Sequence, residues 1–155
     1  MENQGKIAFK KKLKQFCEDQ LMQRINVSRQ AIEDARESTN QESKSTVGDK
    51  YETGRAMGQL EQEMHSKQLA ENIKELSALR LIDTDVICTE AQTGAFIQCK
   101  EICFYIATGL GKRNFEEKAI LFLSSNAPLA KMLLHKKIGE NFLFNGKNEL
   151  IENLF

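Results

Sequence analysis

A chain of 155 residues holds about one ordinary domain or two small ones and can bury a modest core, which excludes disorder throughout. Charged residues make up 28% and Trp is absent, and the mean hydropathy is negative, a balance that fits long exposed helices better than a compact body. The 22 basic and 22 acidic residues cancel, which excludes a general polyanion binder held by bulk charge.

From the start, "MENQGKIAFKKKLK" has no signal-peptide core, and no apolar run approaches the roughly 20 residues that span a bilayer. A soluble, cytoplasmic protein with no membrane partner is expected. Residues 1–16 carry Lys6, Lys10, Lys11, Lys12 and Lys14 against Glu2 alone, whereas Glu33 to Glu52 carries six acids against three bases. Apolar residues then recur at Phe9, Leu13, Phe16 with Cys17, Leu21, Ile25, Ile32 and Ala35, with Ser28 in the one missing place. That spacing of three and four predicts a helix packed along one partner. A second stripe runs Met57, Leu60, Met64, Leu69, Ile73, Leu76 and slips by one after Met64, as a straight helix drifts against a strict heptad. The two predict an antiparallel helical hairpin, a coiled coil over 1–81 whose arms of ~30 residues are each ~45 Å long. The polar "ESTNQESKSTVG", Glu37 to Gly48, is its turn, which places the tip near 38–52.

Residues 82–92 read as a linker in which "VICTEA" could add an edge strand, and 93–155 as a small sheet domain. "GAFIQCK", "EICFYIAT", "AILFLSS", "ENFLFNG" and "NELIENLF" are β-rich runs, with a tight turn near Lys100 and Glu101. Phe96, Phe104, Tyr105, Phe122, Phe142 and Phe144 alternate within them as core residues rather than base-stacking platforms. "GLGKR", Gly109 to Arg113, lacks phosphate-loop spacing and reads as a strand connection. "SSNAPLAKMLLHKKIG" predicts one short helix, with Ser125 or Asn126 as its cap, Pro128 in the first turn, an apolar face of Leu129, Met132 and Leu133, and Gly139 as its stop. The fold class is α+β: a helical hairpin, then a small, mainly antiparallel sheet with one helix. Cys17, Cys88, Cys99 and Cys103 sit in apolar patterns without CxxC spacing or a companion His cluster, as reduced core thiols do. His65 and His135 read as surface or cap residues.

Two stretches carry chemistry. "GDKYETGRA" sets Asp49 and Glu52 three residues apart at the start of the second helix, where Asp-x-x-Glu is also a capping box. Together with "APLAKMLLHKKIGEN", it resembles the bacterial Gre transcript-cleavage factors over about Ile25 to the C-terminus. Gly48, Asp49 and Glu52 match the family's finger tip, and Pro128, Leu129, Ala130, Leu133, Leu134, Lys136 and Gly139 match its C-terminal motif. At the tip, Thr53, Gly54, Arg55 and Ala56 stand where the family has Asn, Ala, Glu and Tyr.

The resemblance implies a coiled-coil finger, an FKBP-like sheet domain and a monomeric elongation factor. Its partners would be RNA polymerase and, indirectly, nascent RNA. The finger would enter the secondary channel and stimulate cleavage of backtracked RNA, the protein being no enzyme by itself. Asp49 would share the polymerase's second Mg²⁺, Glu52 would orient water, and no cofactor of its own is implied. Asn126, Pro128, Leu129, Lys131 and Lys136 would dock on the polymerase, and Lys10, Lys11, Lys12 and Lys14 could lie along RNA, although a solvated helical face explains the same lysines. A channel-binding regulator without cleavage is the second expectation. A prolyl isomerase or chaperone on the same sheet lacks the Trp and aromatic lining of such pockets, and no Cys–His pair supports an acyl-chain enzyme.

Overall fold

The computed structural model describes residues 2–42 and 48–155. Helix α1 (Asn3–Glu42) and helix α2 (Gly48–Arg80) precede strands β1 (Phe96–Gln98), β2 (Cys103–Ala107), β3 (Gly111–Phe115) and β4 (Lys118–Ser124). A short helix α3 (Pro128–Leu133) follows, then β5 (Asn141–Phe144), β6 (Lys147–Leu150) and β7 (Asn153–Leu154). Two compact units result: one joins the residues up to Glu18 with Ala78–Phe155, the other is Asp19–Ser77.

The second unit is the helical hairpin. Its α1 seam is the one the sequence spacing gives, with Leu21, Ile25, Ser28 and Ala35 buried. Helix α1 continues to Glu42 and takes up half of the polar run from Glu37 that the sequence reads as the turn. The remainder of the expected tip, residues 43–47, lies outside the described residues.

In the first unit a five-stranded sheet runs in the order β3-β4-β2-β1-β7, with β5 and β6 as a separate ribbon. All pairs are antiparallel except β2 with β4. Strand alternation sends residues to two faces. On one side Ile97, Phe104, Ile106 and Leu123 join Ala130 and Leu133 of α3, Phe142 of β5 and Ile151 in one core. On the other, Phe96, Phe122 and Phe155 meet Phe9 and Phe16 of α1, with ring centroids 4.9 Å apart for Phe9–Phe96 and 5.5 Å for Phe16–Phe122. Lys118 and Lys6 close this cluster by standing over the Phe9 and Phe155 rings at 5.3 and 5.4 Å. The start of α1 is therefore part of the sheet unit, and a division at residue 81 separates residues that pack together.

Three local expectations change. "GLGKR" is not a bare connection, because Gly111–Arg113 begin the edge strand β3, whose polar, exposed residues hide the alternation that marks a strand. Residues 82–92 are not a free linker: Thr84, Cys88 and Ala91 are buried, Asp83, Asp85, Val86 and Thr89 are exposed, and Ala91 exchanges backbone hydrogen bonds with Lys136 and His135, both 2.8 Å. Helix α3 is capped by Ala127, with no side-chain bond, and ends at Leu133; its buried face includes Ala130, while Met132 is exposed. Gly94 holds φ at 91°, and a Cβ there would lie 3.0 Å from Ile82 Cγ2, so only glycine fits without displacement. Among the described residues, no helix is long and apolar enough to cross a membrane.

The β3–β4 turn is Glu116–Glu117, with φ of 47° and 64°. This left-handed geometry favours Asn and Gly, as at Asn145–Gly146 in the β5–β6 turn, where φ is 51° and 76°. Glu117→Gly should therefore raise the unfolding free energy by about 0.5–1 kcal/mol. Urea titration should show a higher midpoint with an unchanged slope.

Candidate functional site

Helix α2 opens at Gly48, so Asp49 and Glu52 both stand in its first turn, on one face. Unsatisfied N–H groups and the positive end of the helix dipole make this a favourable place for carboxylates. Glu52 is exposed, as are Thr53, Arg55 and Ala56. The Asp49 carboxylate lies outside the described residues.

The α2 seam is displaced from the expected stripe. Gly58, Leu76 and Leu79 are buried, and Gln62, His65, Leu69 and Asn72 are half-buried between them. Met57 and Leu60 are each 64% exposed, Met64 50% and Ile73 41%. The reason is angular: at about 100° per residue, Met57, Leu60 and Met64 fall on a flank of the helix that Leu76 and Leu79 do not share. An exposed apolar stripe on a helix that otherwise presents charge is a feature that the helical spacing alone assigned to the core.

Of the expected docking residues, Asn126, Pro128 and Lys131 are exposed around α3, while Leu129 is half-buried against the sheet core. The Asn126 N–H donates to Ser124 Oγ at 3.3 Å, so Ser124 rather than Ser125 or Asn126 supplies the local polar contact. Lys136 is half-buried and its carbonyl accepts from Ala91. His135 meets the Glu90 carboxylate at 2.8 Å and His65 lies 3.4 Å from Gln68, each a local contact.

The N-terminal lysines are spent within the sheet unit. Lys10 has no exposed surface, and its Nζ donates to the Val86 carbonyl at 2.8 Å and to Cys88 Sγ at 3.7 Å. Burial pushes its pKa down from the ordinary value, opposed by Cys88 and Asp83. Lys14 donates to the Arg80 and Ile82 carbonyls, Lys11 pairs with Asp85 and Lys12 with Glu116. The expectation that Lys10 lies along RNA fails on its burial. Lys11 and Lys12 keep exposed side chains, and pairs of that kind contribute little.

Sequence reasoning passed over the surroundings of Cys88. Its Sγ also accepts from Gln92 Nε2 at 3.4 Å, and the thiol lines a cavity of about 410 Å³ with Ala78, Leu81, Ile82 and Val86. No local motif signals this, since Lys10 lies 78 residues from Cys88 along the chain. Cys17, Cys99 and Cys103 do not line this cavity. Tyr105 is fully buried, its hydroxyl lacks a hydrogen-bond partner among the described residues, and burial raises its pKa. Comparisons with protein-family models, with curated proteins and with solved structures find no match to this chain.

Cys17 has no exposed surface, and desolvation, helped by Glu18, pushes its thiol from 9.0 up to about 12. The folded state thus keeps a proton that the unfolded state loses near pH 9, so this contribution is complete below pH 9 and disappears as pH rises toward 12. The stability of the wild type relative to Cys17→Ala should fall by about 2 kcal/mol between pH 8 and pH 11 under reducing conditions, as read by urea unfolding.

Proposed function

We propose that this protein is an RNA-polymerase-binding elongation factor of the Gre type, whose finger carries acids to the polymerase's catalytic centre. The observation that carries this reading is the placement of Asp49 and Glu52 together in the first turn of α2, on one face of a helical hairpin, with Glu52 exposed. Two features add support. The exposed Met57, Leu60 and Met64 give the hairpin an apolar contact surface of the kind a binding module presents. Pro128 and Lys131 are exposed on α3, where the sequence resembles the family's C-terminal motif.

The donor set fits the metal that such a role implies. Mg²⁺ retains several waters and takes one or two carboxylates from a given protein element, and the first turn of α2 offers two acids on one face. When bound, a second Mg²⁺ supplies Lewis-acid activation of the attacking water and charge neutralisation at the leaving oxygen. Asp49 would hold the metal side and Glu52 would orient water from the next position on that face. Since two acids complete a site without constituting one, the isolated protein hydrolyses nothing.

A second reading rests on Arg55, an exposed cation about one turn beyond Glu52 where the family resemblance calls for an acid. It favours a channel-binding regulator that alters the catalytic centre without cleavage. Stalled complexes of the cognate polymerase separate the two. Addition of the protein should release short 3′ fragments, and Asp49→Asn or Glu52→Gln should abolish release at unchanged polymerase binding. Binding without fragments supports the regulator, and failure to bind polymerase rejects both.

A further inference from the structure

The exposed apolar residues Val27, Met57, Leu60 and Met64 of the hairpin fall on one side of it. Ser28 on α1 and Gly58 on α2 are buried toward the other helix, and Gln62 and His65 are half-buried in the same seam. At about 100° per residue, the residue just before a seam position stands to one side of the plane through the two helices, and because the helices run antiparallel this side is the same for both. Val27 precedes Ser28, Met57 precedes Gly58 and Met64 precedes His65, and their side chains are 63%, 64% and 50% exposed. Leu60, 64% exposed, stands farther out on the same side. A groove between two helices lined by such side chains is a seat for a third helix, and flexible methionines adapt to its ridges.

Charge selects the occupant. By the same rule this side carries Asp34, Glu61, Glu71 and Glu75 against Arg24 alone, and Lys67 stands only at the outer rim of α2. On the opposite side Arg29, Arg36 and Arg55 stand against Glu33 and Glu63, with Glu33 and Arg36 paired at 3.6 Å. Acids therefore frame the apolar residues on one side of the hairpin and not on the other. A second copy of the chain would bring acids onto acids, and an anionic bilayer would repel them, whereas a helix with cations flanking its apolar stripe meets complementary charge. We propose that this side of the hairpin is a docking surface for a basic amphipathic helix of a partner protein, which lies in the groove between α1 and α2 and completes a three-helix bundle. Met57 to Met64 covers about 11 Å of helix axis, so two or three apolar anchors on the partner, spaced three or four residues apart, fill it. Asp49 and Glu52 take no part in this contact, so docking and the chemistry of the tip are separable.

The full chain, its methionine methyls labelled for NMR, titrated with a helical peptide of roughly 15 leucine and lysine residues whose leucines share one face, tests the proposal. The Met57 and Met64 methyl signals should move and saturate, whereas Met22, on the opposite side, and Met132, on α3, should not. A peptide with glutamate in place of lysine should not bind. Leu60→Ser combined with Met64→Ser should weaken binding on the order of tenfold. Glu61→Lys combined with Glu71→Lys should weaken it several-fold and flatten its dependence on salt, while Glu63→Lys on the opposite side should change it by less than about twofold. All the substituted residues are exposed, and the wild-type methyl shifts do not depend on the folding of any variant. Stationary Met57 and Met64 signals, equal movement of Met22 and Met132, equal affinity for the leucine–glutamate peptide, or unchanged affinity in folded Leu60→Ser/Met64→Ser each overturns the proposal. So does self-association through Met57 and Met64, or their binding to anionic vesicles, in place of binding to the peptide.

Discussion

The packing of the first turns of α1 on one face of the sheet is the constraint on which the rest of the first unit depends. Phe9 and Phe16 insert among Phe96, Phe115, Phe122 and Phe155, while the opposite face is covered by α3 and the β5–β6 ribbon. A sheet buried on both faces needs apolar residues at successive positions, and the fully buried run Phe104, Tyr105 and Ile106 in β2 has that character. Docking of α1 also takes Lys10 out of water. Its desolvation is met by the Val86 carbonyl and the Cys88 sulfur, which fixes the segment between α2 and β1 against the helix.

That segment has a second anchor. Ala91 bonds to the turn after α3 through both of its backbone polar groups, so Cys88 and Ala91 belong to the core although the segment between Ile82 and Gln92 has no regular secondary structure. The cavity beside Cys88 is lined by this irregular segment and by Ala78 at the end of α2. A strand or helix in the same place would bring its own side chains into the space. Gly94, forced to a positive φ beside Ile82, marks where the loop must turn back toward β1.

The hairpin follows a different balance. In its proximal part the seam is aliphatic, with Leu21 and Ile25 on α1 and Leu69 and Leu76 on α2. Toward the far end Ala35, Gly58 and Gln62 replace them, and the large apolar residues of α2 sit outside the seam. Burial therefore stabilises the distal helices less than the proximal ones, and Met57, Leu60 and Met64 stay exposed. The acids of the first turn of α2 share this far end with a surface that intramolecular packing does not consume.

Periodicity and composition by themselves determined the helical hairpin, the α1 seam, the strand-rich C-terminal half and the short helix after Pro128, because each rests on local spacing of apolar residues. They also brought Asp49 and Glu52 to one helix start. What tertiary structure alone decided was which apolar residues the helices bury, that β3 pairs at the sheet edge despite its polar face, that Cys88 and Ala91 join the core, and that Lys10 points inward to Cys88. Those outcomes depend on contacts between residues far apart in the chain. A helix of 3.6 residues per turn offers several flanks, and only the partner's surface selects one; a lysine in a basic run is solvated until a carbonyl and a sulfur close over it.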